Sequence, residues 1–227
     1  MTSPNVVLLV MDDPQLLSAV RAIRPALQLI AIEQDIPETL IKGQLYCFVG
    51  WVLPECSGLE MCHRLRMAHT TQSAHITMVM ESRNSEAQRR ALRAGADSYI
   101  MGPLTAEMII QKVESYLDVP SYALSVAKLS HGELTVDLAA YRVKYRDKTV
   151  ALPPNEFRLL THFIENPDKL LTRKTLIEML GKNSNTLDER IVNVWIRRLR
   201  RTLLEHHVPD PLRTVRSKGY VMDSVAS

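Results

Sequence analysis

The sequence is poor in cysteine, and this limits the metal and disulfide chemistry it can support. Its three cysteines are Cys47, Cys56 and Cys62. An odd number rules out complete internal pairing, and the spacing matches no zinc-binding pattern. We therefore expect reduced thiols in a cytosolic fold, with no metal site and no cofactor.

Long hydrophobic runs are also lacking. The longest extends from Val6 to Met11, whereas a membrane-spanning helix needs roughly 18 or more apolar residues. No basic segment followed by a long apolar core opens the sequence, so no secretory signal is expected. These absences favour a cytoplasmic protein.

Arrangements of catalytic residues are missing too. We find no Ser/His/Asp set, metal-ligand cluster or Gly-rich phosphate loop with usable spacing. The seven histidines are scattered, and His63, His206 and His207 are expected at the surface. The sequence therefore does not indicate an enzyme.

Charge divides the 227 residues into two unlike halves. Residues 1–118 hold 10 Lys/Arg and 13 Asp/Glu, a net charge of −3, and residues 119–227 carry +6. The length fits two domains. A basic half favours a polyanionic partner, although charge alone is a weak indication.

The first half alternates strands and helices. Nearly continuous apolar stretches predict buried strands, and amphipathic segments between them predict helices. The strands are expected at 5–10, 27–32, 46–51, 76–80 and 98–101, and the helices at 14–23, 38–42, 57–67, 85–94 and 105–117. This order predicts an α/β domain over residues 1–118, with a five-stranded parallel doubly wound sheet. Residues 119–127, which contain Pro and Ser and lack periodicity, are predicted to be a linker.

The second half, residues 128–227, has an α+β pattern. Short strands are expected at 133–136, 141–145 and 149–152, followed by helices at 154–165, 173–180 and 188–205. A β-hairpin formed by residues 212–215 and 220–221 closes the chain. Three helices and a terminal hairpin are typical of a winged helix-turn-helix domain.

The third of these helices has one apolar face and one basic face. Val192, Ile196, Leu199 and Leu203 form the core stripe. The opposite face carries Arg190, Asn193, Val194, Arg197 and Arg201, with Arg198 and Arg200 toward its edges. Arginine and asparagine are side chains that read base edges in the major groove of duplex DNA.

The terminal hairpin carries further cations, Arg213, Arg216 and Lys218, and could enter the minor groove. Trp195 and Tyr220 fit a core position as well as they fit a phosphate contact.

Three stretches of the second half resemble the OmpR/PhoB family of response regulators: LPPNEFRLLTHFIENPDKLLTRKTLIEML, RIVNVWIRRLRRTL and RTVRSKGYV. The resemblance implies a sequence-specific transcription factor that binds double-stranded DNA as a dimer. It implies base contacts by Asn193, Val194, Arg198, Arg200 and, in the minor groove, Arg216. It implies phosphate contacts by Arg190, Trp195, Arg197 and Tyr220, to which we add Arg201 and Lys218.

Three positions depart from the family pattern: Ile191, Asn193 and Trp195 stand where Thr, Asp and His are usual. The segment 181–187 resembles the one that meets RNA polymerase in relatives.

The first half resembles a receiver domain through VVLLVMDDPQLL, CFVGWVLPECSGLEMCHRLR and AGADSYIMGPLT. A working receiver needs two acidic residues for Mg²⁺, an aspartate acceptor, a Ser/Thr switch and a lysine. The corresponding positions here are Met11 and Asp12, followed by Asp13, then Gly50, then Met80 beside Glu81, and finally Gly102. We therefore expect a vestigial site and DNA binding that is independent of phosphorylation. Asp12 and Asp13 are expected to be solvated or capping carboxylates. The alternative is an interaction module whose receiver binds a partner protein or ligand to control DNA binding.

Relatives of this family dimerise through the receiver, which implies a homodimer interface at residues 85–94, 98–101 and 105–117. Asp97 and Lys112 could pair across it, whereas Arg93 departs from the usual charge. Met108 and Ile109 are the apolar candidates for this face.

Overall fold

The chain folds into two compact units, Met1–Asp118 and Val119–Ser227. The computed structural model describes residues 5–11, 13–32, 35–39, 41, 44–82, 84–117, 128–138, 140–182, 184 and 188–224. The predicted linker, 119–127, lies outside the described residues and stays a prediction. Across the part of the chain that is described, no helix is long and apolar enough to cross a membrane.

The first unit is built on one five-stranded parallel sheet. Its strands are β1 (Asn5–Val10), β2 (Gln28–Ala31), β3 (Gln44–Gly50), β4 (His75–Met80) and β5 (Ser98–Met101), in the order β2-β1-β3-β4-β5. Every residue of β4 is buried, as expected for a strand covered on both faces. The α/β fold class predicted from the sequence is confirmed.

Four helices cover the two faces of this sheet: α1 (Pro14–Ile23), α2 (Gly58–Met67), α3 (Ser85–Ala94) and α4 (Ala106–Leu117). Short polar side chains start them. Asp13 accepts a hydrogen bond from the backbone N–H of Leu16 at 2.9 Å, and Asn84 accepts from those of Glu86 and Ala87. Gly95, with a φ of 119°, ends α3 in the left-handed conformation that glycine adopts most easily.

The helix predicted at 38–42 does not form at the positions the structure describes. Residues 38, 39 and 41 are not helical, and residues 40 and 42 lie outside the described part. Ile36 and Ile41 instead pack, partly buried, against the core formed by β1, β3 and α2. Residues that are not helical therefore cover part of the core that we expected a helix to cover.

The second unit combines two small sheets with three helices. Strands β6 (Lys128–His131), β7 (Leu134–Asp137), β8 (Arg142–Tyr145) and β9 (Lys148–Val150) form an antiparallel sheet. Helices α5 (Pro154–Glu165), α6 (Arg173–Met179) and α7 (Ile191–Glu205) follow, with the short strand β10 (Leu171–Thr172) before α6. The hairpin strands are β11 (Leu212–Val215) and β12 (Gly219–Met222). Sequence reasoning missed β6, whose sequence KLSH is mostly polar, and β10, which has two residues.

A third strand joins the predicted hairpin because β12 pairs with both β11 and β10. Gly219 permits this close approach. A Cβ atom at position 219 would lie 2.1 Å from the carbonyl oxygen of Leu171. The hairpin is thereby fixed to the start of α6 rather than projecting by itself.

Candidate nucleic-acid interface and strand-end crevice

Helix α7 presents a polar face to solvent. Asp188 accepts a hydrogen bond from the backbone N–H of Arg190 at 2.9 Å just before the helix begins. Arg190, Asn193, Arg197 and Arg201 are exposed, and Val194 is half-buried. We call these five residues the recognition face. They match the polar side that the helical periodicity predicted, and they place three cations along one line of the helix.

Arg198 does not belong to this face, which corrects the expectation that it contacts bases. Its side chain is buried, and its Nε lies 2.7 Å from Oε1 of Glu156, a carboxylate in the first turn of α5 that is entirely buried. Positions 191, 195 and 198 follow helical spacing, so Arg198 continues the buried stripe of Ile191 and Trp195. The ion pair joins α5 to α7 inside the domain.

Arg200 is half-buried and engaged within the domain, and its assignment as a base contact stays a prediction. Its guanidinium pairs with Asp210 at 2.8 Å and donates to the carbonyl oxygen of Leu212 at 2.8 Å. It also donates to the Thr214 hydroxyl at 3.2 Å. The side chain therefore ties α7 to β11.

Trp195 and Tyr220 take the core position that the sequence left open, so the phosphate contacts implied by the resemblance are wrong for both. Trp195 is completely buried and Tyr220 is 4% exposed. The Tyr220 hydroxyl donates to Oδ1 of Asn193 at 2.8 Å. Arg173, at the start of α6, donates to the same oxygen from Nε at 3.1 Å. Sequence reasoning missed Arg173 because only the fold brings α6 and β12 to this point of α7.

The hairpin turn carries further exposed cations. Arg216 and Lys218 are exposed within the turn that joins β11 to β12. Arg213 is different, because its guanidinium forms two hydrogen bonds to Asp223, at 2.9 and 2.6 Å. This contact holds the pKa of Asp223 below its usual value. The turn, rather than the base of the hairpin, therefore carries the cations that can face an anionic partner.

Four of the predicted receiver positions meet at one edge of the first unit. Met11, Gly50, Met80 and Gly102 lie at or just after the carboxyl ends of β1, β3, β4 and β5, where the reactive crevice of such sheets lies. The N–H of Gly102 donates to the carbonyl oxygen of Met80 at 2.8 Å. Asp13 caps α1, one of the two roles expected for it, whereas Asp12 lies outside the described residues.

Space around Gly50 is restricted. A Cβ atom at position 50 would lie 3.3 Å from the carbonyl oxygen of Val52 and 3.4 Å from Cδ2 of Leu53. Next to it, a Cβ atom at Gly58 would lie 2.0 Å from the carbonyl oxygen of Gly50. Two glycines thus let the loop after β3 fold tightly over the strand end.

A cleft of about 210 Å³ opens at the same edge. Trp51 and Met80 line it, together with Glu81 and Arg90, which carry opposite charges. Glu81 is exposed, next to the buried Met80. The remaining lining residues are Ser82, Asn84, Glu86 and Ala87.

The face predicted to form a dimer differs from expectation at two positions. Asp97 is completely buried, where its carboxylate contacts the Arg66 guanidinium at 2.7 Å and accepts from the backbone N–H of Ile76 at 2.8 Å. Ile109 is also completely buried. Neither can reach a partner, so both assignments are corrected. Arg93 is exposed, Met108 and Lys112 are half-buried, and burial lowers the pKa of Lys112.

Comparison with known proteins gives a match within the second unit and matches over most of the chain. Residues 147–222 match the family model described as "Transcriptional regulatory protein, C terminal". The phosphate regulon transcriptional regulatory protein PhoB of Rhizobium meliloti (strain 1021) is 33% identical over 196 residues, which cover 86% of this chain and 83% of PhoB. The chain belongs to the OmpR/PhoB family of response regulators.

Other members of the OmpR/PhoB family match over a similar length. The DNA-binding response regulator MtrA of Mycolicibacterium smegmatis is 28% identical over 214 residues, covering 92% of this chain and 82% of MtrA. A solved structure of a RitR mutant superposes with a TM-score of 0.62 at 19% identity, covering 98% of this chain and all of that one. The RitR likeness supports the fold, and the family membership identifies the second unit as a winged-helix regulatory domain.

Proposed function

We propose that this protein is a transcriptional regulator that binds double-stranded DNA through its second unit, with α7 in the major groove. The recognition face carries the proposal, since it combines three exposed arginines with an exposed asparagine on one side of a helix. Arg190, Arg197 and Arg201 can neutralise phosphates, and Asn193 can contact a base edge. The name of the MtrA relative, a DNA-binding response regulator, supports the same role.

The exposed cations of the hairpin turn extend this surface. We infer that Arg216 enters the minor groove and that Lys218 contacts phosphate, because both are exposed at the tip of a hairpin anchored by β10. A protein that acts on promoters works in the cytoplasm of a bacterial cell. The proposed RNA polymerase contact involves segment 181–187, where residues 183 and 185–187 lie outside the described part, and it stays a prediction.

DNA binding is tested by selecting bound fragments from random or genomic DNA and sequencing them. Affinity for a selected fragment is then measured at salt concentrations from about 50 to about 200 mM. Binding should weaken steeply, because each phosphate that the protein neutralises adds about −0.9 to the slope of log K against log salt. Failure to enrich any DNA would overturn the proposal.

We also propose that DNA binding does not depend on phosphorylation. Gly50, at the end of the central strand β3, offers no oxygen to attack phosphorus, and Met80 has no hydroxyl to bond the product. Gly102 supplies no cation at the end of β5. Support comes from the meeting of these positions at one edge of the sheet, where a phosphorylation site would need its components.

This second proposal is tested with acetyl phosphate and Mg²⁺, followed by intact mass and DNA affinity. We expect no added phosphoryl group and no change in affinity. Gly50→Asp is the informative variant, because it restores a carboxylate while the hydroxyl and the lysine remain absent, and it should not become switchable. Since a side chain at position 50 meets the Val52 carbonyl closely, its melting temperature is measured in parallel. A mass gain with tighter binding by the wild type would refute the proposal.

The cleft at the strand ends favours one alternative, in which a small ligand replaces phosphorylation as the signal. About 210 Å³ is smaller than most sites for drug-sized ligands, so only a small molecule fits. Glu81 and Glu86 would attract a cationic group and Arg90 an anionic group, which favours a ligand that carries both charges. Differential scanning fluorimetry with a library of small zwitterions tests this role, and shifts that persist in Arg90→Ala would contradict it.

We propose that two copies associate through α3, β5 and α4. On α3, Arg90 and Arg93 are exposed, and Arg89 pairs with Glu86. On α4, Glu107 is exposed, whereas Glu114 pairs with Arg24, which follows α1. We infer that a two-fold axis places α3 of one protomer against α4 of its partner, and therefore Arg90 and Arg93 near Glu107. Met108 supplies apolar area at this face, and Lys112 lies beside it.

A further inference from the structure

The amide of Asn193 is held in one orientation, and this orientation restricts which bases it can read. Its Oδ1 atom receives two hydrogen bonds, from the Tyr220 hydroxyl at 2.8 Å and from Nε of Arg173 at 3.1 Å. A guanidinium N–H can only donate. The atom that it faces must therefore be the amide oxygen, and the amide nitrogen lies on the opposite side of Cγ.

The two donors are themselves fixed by the fold. Strand pairing places Tyr220 of β12 opposite Leu171 of β10, one residue before the Thr172 cap of α6. The Arg173 guanidinium lies 5.3 Å from the centre of the Tyr220 ring, and that of Arg200 lies 5.9 Å from it. Tyr220 is nearly buried, whereas Asn193 is exposed. Tyr220 therefore donates from inside the domain and Arg173 from a half-buried position, and the amide nitrogen belongs to the exposed side chain.

From this geometry we infer that Asn193 is a donor-only reader of base edges, set by the positioning residues Tyr220 and Arg173. This inference rests on the proposed DNA binding. In the major groove the keto bases guanine and thymine present acceptors, O6 and N7 or O4, whereas cytosine presents the N4 amine donor. The two-bond pairing of asparagine with adenine needs Oδ1 to accept from the N6 amine. That oxygen is occupied, so adenine keeps at most one bond, through N7.

Asn193→Asp is the sharpest test, because it keeps the shape of the side chain and the acceptor for Tyr220 and Arg173. It replaces the outward-facing amide nitrogen, a hydrogen-bond donor, by a carboxylate oxygen, an acceptor. The DNA selected by the wild type is varied to all four bases at each position, and affinities are measured for both proteins. At one base pair the wild type should prefer a keto base and Asn193→Asp should prefer an amino base. The ratio of the affinities for the two kinds of base should change by about five- to tenfold between the two proteins.

A second variant tests the positioning residues without adding a negative charge. Tyr220→Phe combined with Arg173→Ala removes both donors, so the amide can turn and pair with adenine. Adenine should then gain relative to guanine and thymine at the same base pair, while the other positions keep their preferences. Arg190→Ala is the control, because removing a phosphate-binding cation lowers affinity for all sequences alike. This double variant carries the test if the carboxylate of Asn193→Asp weakens binding too far to measure.

The outcomes separate the DNA-binding proposal from the inference about Asn193. If the wild type enriches no DNA, the proposed function fails. If the wild type binds a defined sequence and both variants retain its preference at every position, Asn193 is not a donor-only reader and the inference is overturned. Circular dichroism melting of each variant confirms that the comparison is made between folded proteins.

Discussion

At the scale of single residues, the neighbouring arginines of α7 have opposite roles. Arg197 is exposed on the recognition face, whereas Arg198 is buried against Glu156. One helical position is a rotation of about 100°, which is enough to move a side chain from solvent into the core. The resemblance to the family implied that Arg198 reads bases, and the helical wheel put it toward the edge of the basic face, whereas the fold buries it.

Arg198→Ala should therefore unfold the domain more easily rather than change its base preference. The substitution leaves the Glu156 carboxylate buried without its partner, which costs about 3–5 kcal/mol. Arg197→Ala should leave the melting temperature unchanged and weaken DNA binding. Chemical denaturation and binding anisotropy on both variants measure the two effects.

A double variant separates charge from packing at the same site. Arg198→Met with Glu156→Gln removes both charges and should recover much of the stability, because paired buried charges contribute little net free energy. If Arg198→Ala instead kept wild-type stability and lost selectivity at one base pair, the internal role of Arg198 would be wrong.

At the scale of elements, the hairpin turn acts as a unit with α6. Pairing of β12 with β10 fixes the turn, and Arg216 and Lys218 lie at its tip.

The combined variant Arg216→Ala, Lys218→Ala should lower the magnitude of the slope of log K against log salt by about 2, since each phosphate-binding cation contributes about one unit of slope. Lys148→Ala on β9, another exposed lysine of the same unit, serves as the control and should leave the slope unchanged. Equal slopes for all three proteins would show that the hairpin turn does not touch DNA.

The helices α3 and α4 make a second prediction at this scale. Arg93→Glu puts an acid on α3 and should weaken self-association, because it would face Glu107 on α4 of the partner. Sedimentation equilibrium measures the dimer constant, with Arg21→Glu on α1 as a control of equal charge change. A wild type that remains monomeric at high micromolar concentration would reject this interface altogether.

At the scale of the whole molecule, the chain consists of two compact units. The exposed cations and the winged-helix pattern lie in the second unit, and the strand-end crevice lies in the first. Residues 126–227 alone should therefore bind the selected DNA with the base preference of the full chain. Mobility shift on the isolated fragment tests this, and loss of all binding by a folded fragment would show that the first unit supplies part of the interface.

The sequence by itself determined the elements whose signals are local. Apolar runs placed the five parallel strands, and periodicity placed α5, α6 and α7 and separated the recognition face from the core stripe. Gly50, Met80 and Gly102 could be assigned to strand ends because each follows a readable strand. The helix expected at 38–42 does not form at the described residues 38, 39 and 41, because Ile36 and Ile41 can pack against the core without a helix.

Only the tertiary structure decided the partners of polar side chains. The sequence predicted that Asp97 lies at the surface, but in the fold it forms a buried ion pair with Arg66. It also predicted that Arg198 binds DNA, but in the fold Arg198 forms an ion pair with Glu156 of α5. Arg173 was not predicted as a site residue because its contact with Asn193 joins positions 20 residues apart and depends on the pairing of β10 with β12. The reason is physical: hydrophobic periodicity reports which face of an element is buried, whereas an ion pair or hydrogen bond depends on distances between elements that are far apart in the chain.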